Sequence, residues 1–333
     1  MEGMHMSQNT RKWITATAAA GALTLVLAGC TGQPVTSTST DTAGAAASDR
    51  TYALVVHSVP GDPFWDVVKS GAEAAADIYG ATVTYQGDPD PQKQSQLIQT
   101  AIADDVDGLI VSMANPEGLS GAIKDAVAAG IPVITINSGE SASAALGAMT
   151  HVGQDEFVAG QGAGQRLDSQ GATNLICVIH EAGNAGPEDR CRGAADTFGG
   201  TVTNVQVDVA NIADAQNTIM SSLLADPSID GVLTLNPAIA VAASQAVTAA
   251  ASEAQIATFD VSADVTQLII DGNISFAIDQ QPYLQGYLPV GFFELFYTNG
   301  NTVGGGLPVN SGPGYITQDN AEQIAEFAAN GTR

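Results

Sequence analysis

Short apolar runs separated by amphipathic stretches of helical period recur from Tyr52 to the end of the chain, and this alternation restricts the fold more than any other feature. Tyr52-Ala-Leu-Val-Val56 is apolar at every position, as a strand buried on both faces is. Asp62-Pro63 reads as an N-cap followed by proline at the first helical position. Phe64, Val67, Val68, Gly71, Ala75 and Ile78 then share one helical face. Strands are expected next at 82–85, 108–112 and 132–137, with helices at 92–103 and 117–129. The rhythm restarts after His151, with helices at 156–167, 188–198, 212–224, 239–250, 263–270 and 283–297. Strands at 174–179, 202–207, 231–235, 256–259 and 274–278 lie between them, and a last helix over 319–329 starts from a Thr317 cap. Two series of βαβ units predict an α/β protein of two doubly wound halves with parallel sheets.

The N-terminal segment belongs to neither series. Arg11 and Lys12 precede an apolar run from about Ile14 to Leu27, shorter than a comfortable bilayer span. The run closes in Leu27-Ala28-Gly29-Cys30, which resembles the bacterial lipobox, whose cysteine is lipidated and heads the mature protein. A chance cysteine at the end of an ordinary signal peptide is the alternative. Residues 31–49 are mostly Ser, Thr, Ala, Gly and Pro without apolar periodicity, the composition of a flexible linker. The expected division is a lipoprotein signal peptide over 1–29 and a lipidated Cys30 with its tether over 30–50. The folded part is then extracytoplasmic and lipid-anchored to the cell membrane.

About 284 residues remain after the tether, enough for one large domain or two medium ones. A formal charge of -25 excludes nucleic acid as a partner, since there is no basic stripe to neutralise phosphates. It equally disfavours anionic lipid, except through an anchor. Four histidines, none at ligand spacing, argue against a metal site. With Cys30 taken by lipid, Cys177 and Cys191 remain as a pair in an oxidising compartment. Cys177 lies in an apolar strand and Cys191 in the first turn of a helix beginning at Pro187, close enough to bridge. Such a bridge closes a loop worth about 3 kcal/mol. Two buried free thiols are the alternative.

Ligands of doubly wound sheets bind at the carboxyl ends of the strands. Gly160-Gln-Gly-Ala-Gly164 there is better read as small residues that let helices pack closely than as a nucleotide loop, because Gln165 replaces the final glycine. There is no G-x-S-x-G elbow, and Gly304-Gly305-Gly306 reads as a flexible connection. The strand ends carry neutral hydrogen-bonding groups, a few charges and aromatics. Strand one leads to His57, Ser58, Asp62, Phe64 and Trp65; strand three to Ser112 and Asn115; strand four to Asn137-Ser138. In the second half Arg190 opens a helix, Asn236 and Asp260 end strands, and Gln280-Gln281 follow another. Carboxylates, amides and Arg can each engage two hydroxyls, while flat rings cover the C–H face of a sugar. Singly, each has a plainer reading: Asp62 as a helix cap, Phe64 or Trp65 as core, Asn236 and Asp260 as turn residues, Arg190 as a surface ion pair.

Taken in order, Asp62-Pro-Phe-Trp65, Ile131-Pro-Val-Ile-Thr-Ile-Asn137, His151-Val-Gly-Gln-Asp155, Arg190-x-x-Gly193, Thr258-Phe-Asp260 and Gln280-Gln281-Pro282 resemble the sugar-binding receptors of bacterial ABC importers, in the ribose-binding branch of type I periplasmic binding proteins. The resemblance runs from about Tyr52 to Thr317. It implies two Rossmann-like lobes, 51–152 plus 282–312 and 153–281 plus 313–333, joined by three crossings near Val152, Gln281 and Gly312. It also implies an aromatic sandwich at Phe64 and hydrogen bonds to ligand from Asp62, Asn137, Arg190, Asn236, Asp260 and Gln280. Trp65, Ser112 and Asn115 complete the expected ligand set. Two departures stand out: Asn137-Ser138 replaces the usual Asp-Arg, and Asp62 replaces a more usual Asn, which points away from ribose.

The expected function is a monomeric, cofactor-free receptor that captures a monosaccharide or polyol by hinge closure and delivers it to an ABC permease. The alternative is a sensor that presents a sugar or autoinducer to a membrane signalling receptor. A repressor is disfavoured by the export signal. A glycosidase would need an acid/base pair such as Asp62 and Asp260, so no enzyme activity is expected.

Overall fold

The computed structural model describes residues 48–58 and 61–333; Cys30, the expected signal peptide and most of the expected tether lie outside these residues. The first series comprises strands β1 (Thr51–Val56), β2 (Thr82–Gly87), β3 (Gly108–Ser112), β4 (Val133–Ile136) and β5 (Thr150–Gly153). Helices α1 (Pro63–Tyr79), α2 (Pro91–Ala103), α3 (Pro116–Ala128) and a short α4 (Glu140–Ser143) alternate with them. The second series runs α5 (Glu156–Ser169), β6 (Asn174–Ile179), α6 (Ala185–Thr197), β7 (Thr201–Gln206), α7 (Ile212–Ala225) and β8 (Gly231–Thr234). It continues through α8 (Pro237–Ala249), β9 (Gln255–Phe259), α9 (Ala263–Ile270) and β10 (Phe276–Asp279). The chain ends with α10 (Pro282–Asn299), β11 (Val309–Asn310), β12 (Gly314–Ile316) and α11 (Ala321–Ala329).

Two six-stranded sheets result, ordered β11-β5-β4-β3-β1-β2 and β12-β10-β9-β8-β6-β7, so both halves share one topology. All pairings are parallel except β10 with β12. The two-residue period of a strand buried on both faces is plain in β1. Tyr52, Leu54 and Val56 meet α1 and α10, whereas Ala53 and Val55 meet α2 and α3. In β6, Leu175 and Cys177 pack with α5 and α6, and Ile176 and Val178 with α7, α8 and α9. The chain passes between the sheets three times, at 153–156, 279–282 and 310–314.

Several element boundaries differ from the expected ones for identifiable reasons. Helices α2, α3 and α8 begin at Pro91, Pro116 and Pro237, each preceded by a capping Asp90, Asn115 or Asn236, so the signal read at Asp62-Pro63 recurs three times. Helix α6 starts at Ala185, capped by Asn184; Pro187 is its third residue, still within the first turn where no N–H is needed. Cys191 therefore lies in the second turn, and it is bridged to Cys177 with a Cα–Cα distance of 5.8 Å. Thr317 does not cap α11: its N–H donates to Asn320 Oδ1 at 2.8 Å in a turn that precedes the helix. Strand β10 begins later than expected because Ile274 N–H still bonds the end of α9, at Leu268 O. The glycines of Gly160-Gln-Gly-Ala-Gly164 do serve close helix packing, since Gly160 and Gly164 lie against the Arg190 and Ala194 carbonyls of α6.

Candidate functional site

The carboxyl ends of strands from both sheets face one cleft, lined by residues of both series. Asn137 follows β4 and Asp260 follows β9, the equivalent strands of the two sheets. Both adopt left-handed backbone, at φ 62° and 65°, a conformation that Asn and Asp tolerate better than most residues. Their N–H groups make equivalent bonds to the neighbouring strand, Asn137 to Val152 O at 3.2 Å and Asp260 to Ile278 O at 2.7 Å. The kink turns both side chains onto Gln280, at the second crossing. Asn137 Nδ2 donates to Gln280 Oε1 at 2.9 Å, and Gln280 Nε2 donates to Asp260 Oδ1 at 2.8 Å.

One wall comes from the first sheet. Asp62 caps α1 through Phe64 N–H (3.0 Å) and Trp65 N–H (3.5 Å), accepts from Ser58 Oγ at 3.2 Å, and also lines the cleft. Cap and lining are therefore both served by one carboxylate, whose pKa burial raises against the pull of those three donors. Trp65 is 4% exposed and lies edge-on to Phe64 and to His57, with centroids 5.1 and 5.0 Å apart. Ser112 is fully buried behind His57 rather than in the lining, and its Oγ accepts His57 N–H at 3.0 Å. Asn115 is exposed and outside the cleft lining, occupied as the cap of α3 through Gly118 N–H at 2.9 Å.

The opposite wall is organised by Arg190. It is buried, not a surface residue, and donates from Nε and Nη2 to Glu156 at 2.7 and 2.9 Å and from Nη1 to Leu235 O at 3.2 Å. Its guanidinium lies 4.4 Å over the Phe259 ring. Three of five guanidinium donors are thus committed within the protein, leaving two for a ligand. The Cys177–Cys191 bridge ties the helix that carries Arg190 to the central strand β6. Asp260 Oδ2 is 3.9 Å from Arg190 Nη1, and burial pushes its pKa up to about 7 in spite of Arg190 and Gln280. Asn236 caps α8 by accepting from Ala238 N–H at 2.8 Å and lines the cleft as well.

Sequence reasoning placed His57 and Ser138 at strand ends and Pro187 at a helix start without putting them in the ligand set, and gave His180, Glu181 and Asn184 no part in it either. All six line the cleft. His180, Glu181 and Asn184 fall in the β6–α6 connection and Pro187 in the first turn of α6, where the late placement of the helix start hid an Asn cap. Burial lowers the pKa of His57 and takes that of His180 down to about 4. Burial works against Glu181, yet His57, His180, Asn184 and Arg190 together hold it below its ordinary value. Among the described residues no cluster of His, Cys, Asp and Glu is arranged to hold a metal ion.

Comparison with known proteins agrees with this geometry. The family model described as a periplasmic binding protein domain matches residues 52–291. The crystal structure of a carbohydrate transporter from Acidothermus cellulolyticus 11B, in complex with myo-inositol, is 44% identical. It covers 86% of this chain and 100% of its own, with a TM-score of 0.84. The xylose/arabinose-binding protein of Sulfolobus acidocaldarius is 25% identical over 292 residues, 81% of this chain and 71% of that protein. The ribose import binding protein of Escherichia coli K12 is 26% identical over 250 residues, 73% and 83% of the respective chains. A match that begins within β1 and ends within α10 takes in both walls of the cleft, and the chain belongs to the periplasmic binding protein family, as an extracytoplasmic solute-binding receptor.

Proposed function

We propose that the ligand is a neutral cyclic polyol, with myo-inositol the first candidate, and that closure of the two lobes about the three crossings captures it. Family membership makes the chain a solute receptor rather than an enzyme. The observation that carries the ligand class is the convergence of Asp260, Gln280 and Asn137 from both lobes on one point beside two uncommitted Arg190 donors. Vicinal hydroxyls suit such a set, because each can donate to a carboxylate and accept from the guanidinium. Ser138 in place of an arginine removes a second cation, so the cleft has no anion-binding excess. The myo-inositol held by the Acidothermus cellulolyticus protein supports the cyclitol over the pentoses. Phe64 and Trp65 supply the apolar face that covers ring C–H groups, and Asp62, Arg190 and Asn236 complete the set of ligand contacts.

The reading includes a mature protein that begins at a lipidated Cys30, is tethered through residue 50, and works as a monomer. Residues 51–152 plus 282–312 form one lobe and 153–281 plus 313–333 the other. The test is a thermal-shift panel of inositols, hexoses, pentoses and linear polyols on the mature domain. An inositol giving the largest stabilisation supports the reading; a larger shift with a pentose or no shift with any polyol contradicts it.

A further inference from the structure

Asn184 is engaged on both sides of the cleft. As the N-cap of α6 its Oδ1 accepts Gly186 N–H at 3.0 Å, which fixes the amide orientation and aims Nδ2 away from the helix. Ser138 Oγ, of the opposite wall, stands 3.2 Å from the same Oδ1 and 3.0 Å from Asn137 Oδ1, so its single proton is shared between the two acceptors. Nδ2 donates to Glu181 Oε2 at 2.5 Å and stands 3.3 Å from His57 Nε2, again on the opposite wall. An NH₂ group there needs a lone pair on Nε2, so His57 is neutral with its proton on Nδ1, 2.7 Å from Ser112 Oγ. Burial, which lowers the His57 pKa, favours that state. Next along the chain, Ala185 N–H crosses to Ala114 O at 3.1 Å. Gly186 sits so close to the first sheet that a Cβ on it would come within 2.8 Å of Ser138 Oγ.

The His57 and Ala114 contacts lie far from the crossings, whereas Ser138 follows β4, which neighbours β5. The first crossing leaves β5, whereas His57 follows β1 and Ala114 follows β3, which stand three and two strands away in the sheet. At about 4.8 Å per strand, His57 is roughly 14 Å from the hinge strand. Bonds at that distance resist opening with a longer lever than Asn137–Gln280, which lies beside the hinge.

We propose that Asn184, with Ser138 and His57, is an interlobe clasp: a positioning residue that holds the cleft edge remote from the hinge and sets the residence time of the ligand. For its ligand arm the proposal rests on the polyol reading above. The clasp joins protein groups only and so stabilises the closed form with or without ligand; its loss speeds release much more than it changes association.

The experiment uses Asn184→Ser, which keeps a capping oxygen but is too short to reach His57, and Ser138→Ala, which leaves the cap intact. Stopped-flow release of myo-inositol, followed by Trp65 fluorescence, is expected to be about tenfold faster in Asn184→Ser, the loss of two neutral hydrogen bonds, with association changed by less than about twofold. Small-angle scattering of the ligand-free proteins is expected to show both variants more extended than the parent. Release within about twofold of the parent overturns the clasp. So does faster release with unchanged ligand-free scattering, which would make Asn184 a ligand contact only. Should the parent fail to bind myo-inositol, the polyol reading falls and scattering decides alone: equal radii of gyration refute the clasp, and larger ones in the variants support it.

Discussion

Arg190 and Glu156 form a two-point ion pair between α6 and α5, at 2.7 and 2.9 Å, and in doing so leave Asp260 without a full counter-charge. Both members of the pair are buried, and Asp260 stands 3.9 Å off. Its carboxyl is consequently held by burial at a pKa of about 7 against an ordinary 3.8.

That shift carries a pH dependence with a definite sign. A raised folded-state pKa means the folded protein binds the proton more tightly, so the contribution is complete below about pH 4 and is lost as pH rises to about 7. Over that window Asp260 removes up to about 4 kcal/mol of stability from the ligand-free protein. Buried His57 and His180, whose pKa values are lowered, add stability over the same window, so the expectation is a difference: the denaturant midpoint of Asp260→Asn rises relative to that of the parent from pH 5 to 8. Parallel curves would contradict the assignment.

Glu156→Gln leaves the Arg190 charge buried with Asp260 and, more weakly, Glu181 as its remaining anions. The variant is expected to lose about 3 kcal/mol in urea unfolding. Asp260 then becomes the partner of Arg190, so the fall in stability between pH 4 and 7 shrinks in the same variant. A cost below about 1 kcal/mol would mean that the pair is solvated in solution.

The Cys177–Cys191 bridge closes a loop with a sequence separation of 14, for which chain entropy predicts about 3 kcal/mol. Cys177→Ala with Cys191→Ala should lower stability by that amount. Ligand affinity should fall much less, because Glu156 still orients Arg190. Calorimetric unfolding and ligand titration of one preparation separate the two effects.

Much of this arrangement is legible in the sequence, for physical reasons that also mark where reading stops. Strands such as β1 and β3, buried on both faces, announce themselves as unbroken apolar runs, whereas β5 is four residues with a histidine in the middle and offers no pattern. Asp260, Asn137 and Gln280 could be placed at the cleft because doubly wound sheets bind ligands at the carboxyl ends of their strands, and β4, β9 and β10 end there. Their shared bond network could not, since it depends on two left-handed backbone turns and on how the sheets face each other. Ser112 and Asn115 occupy strand-end positions too, yet one turns inward to His57 and the other caps α3. Glu181 and Asn184 were missed because Pro187 resembles a helix start, although Asn184 carries the stronger capping signal.

Trp65 is a built-in reporter. The chain has two tryptophans, Trp13 and Trp65, and Trp13 lies in the expected signal peptide. Trp65 lines the cleft with its ring edge-on to His57 and Phe64, so a bound polyol changes its surroundings directly. A saturable change in emission on titration with the cognate polyol is expected, and it should vanish in Trp65→Phe. Emission indifferent to a ligand that calorimetry detects would place the ligand elsewhere.

The central claim is that a cyclic polyol sits between the lobes against Asp260. Isothermal titration of the mature domain with myo-inositol, in parent and Asp260→Ala, tests it most directly. The account predicts one saturable site in the parent and no measurable heat in the variant. Equal affinity in both proteins, or no heat in the parent across the inositols and monosaccharides, would contradict it.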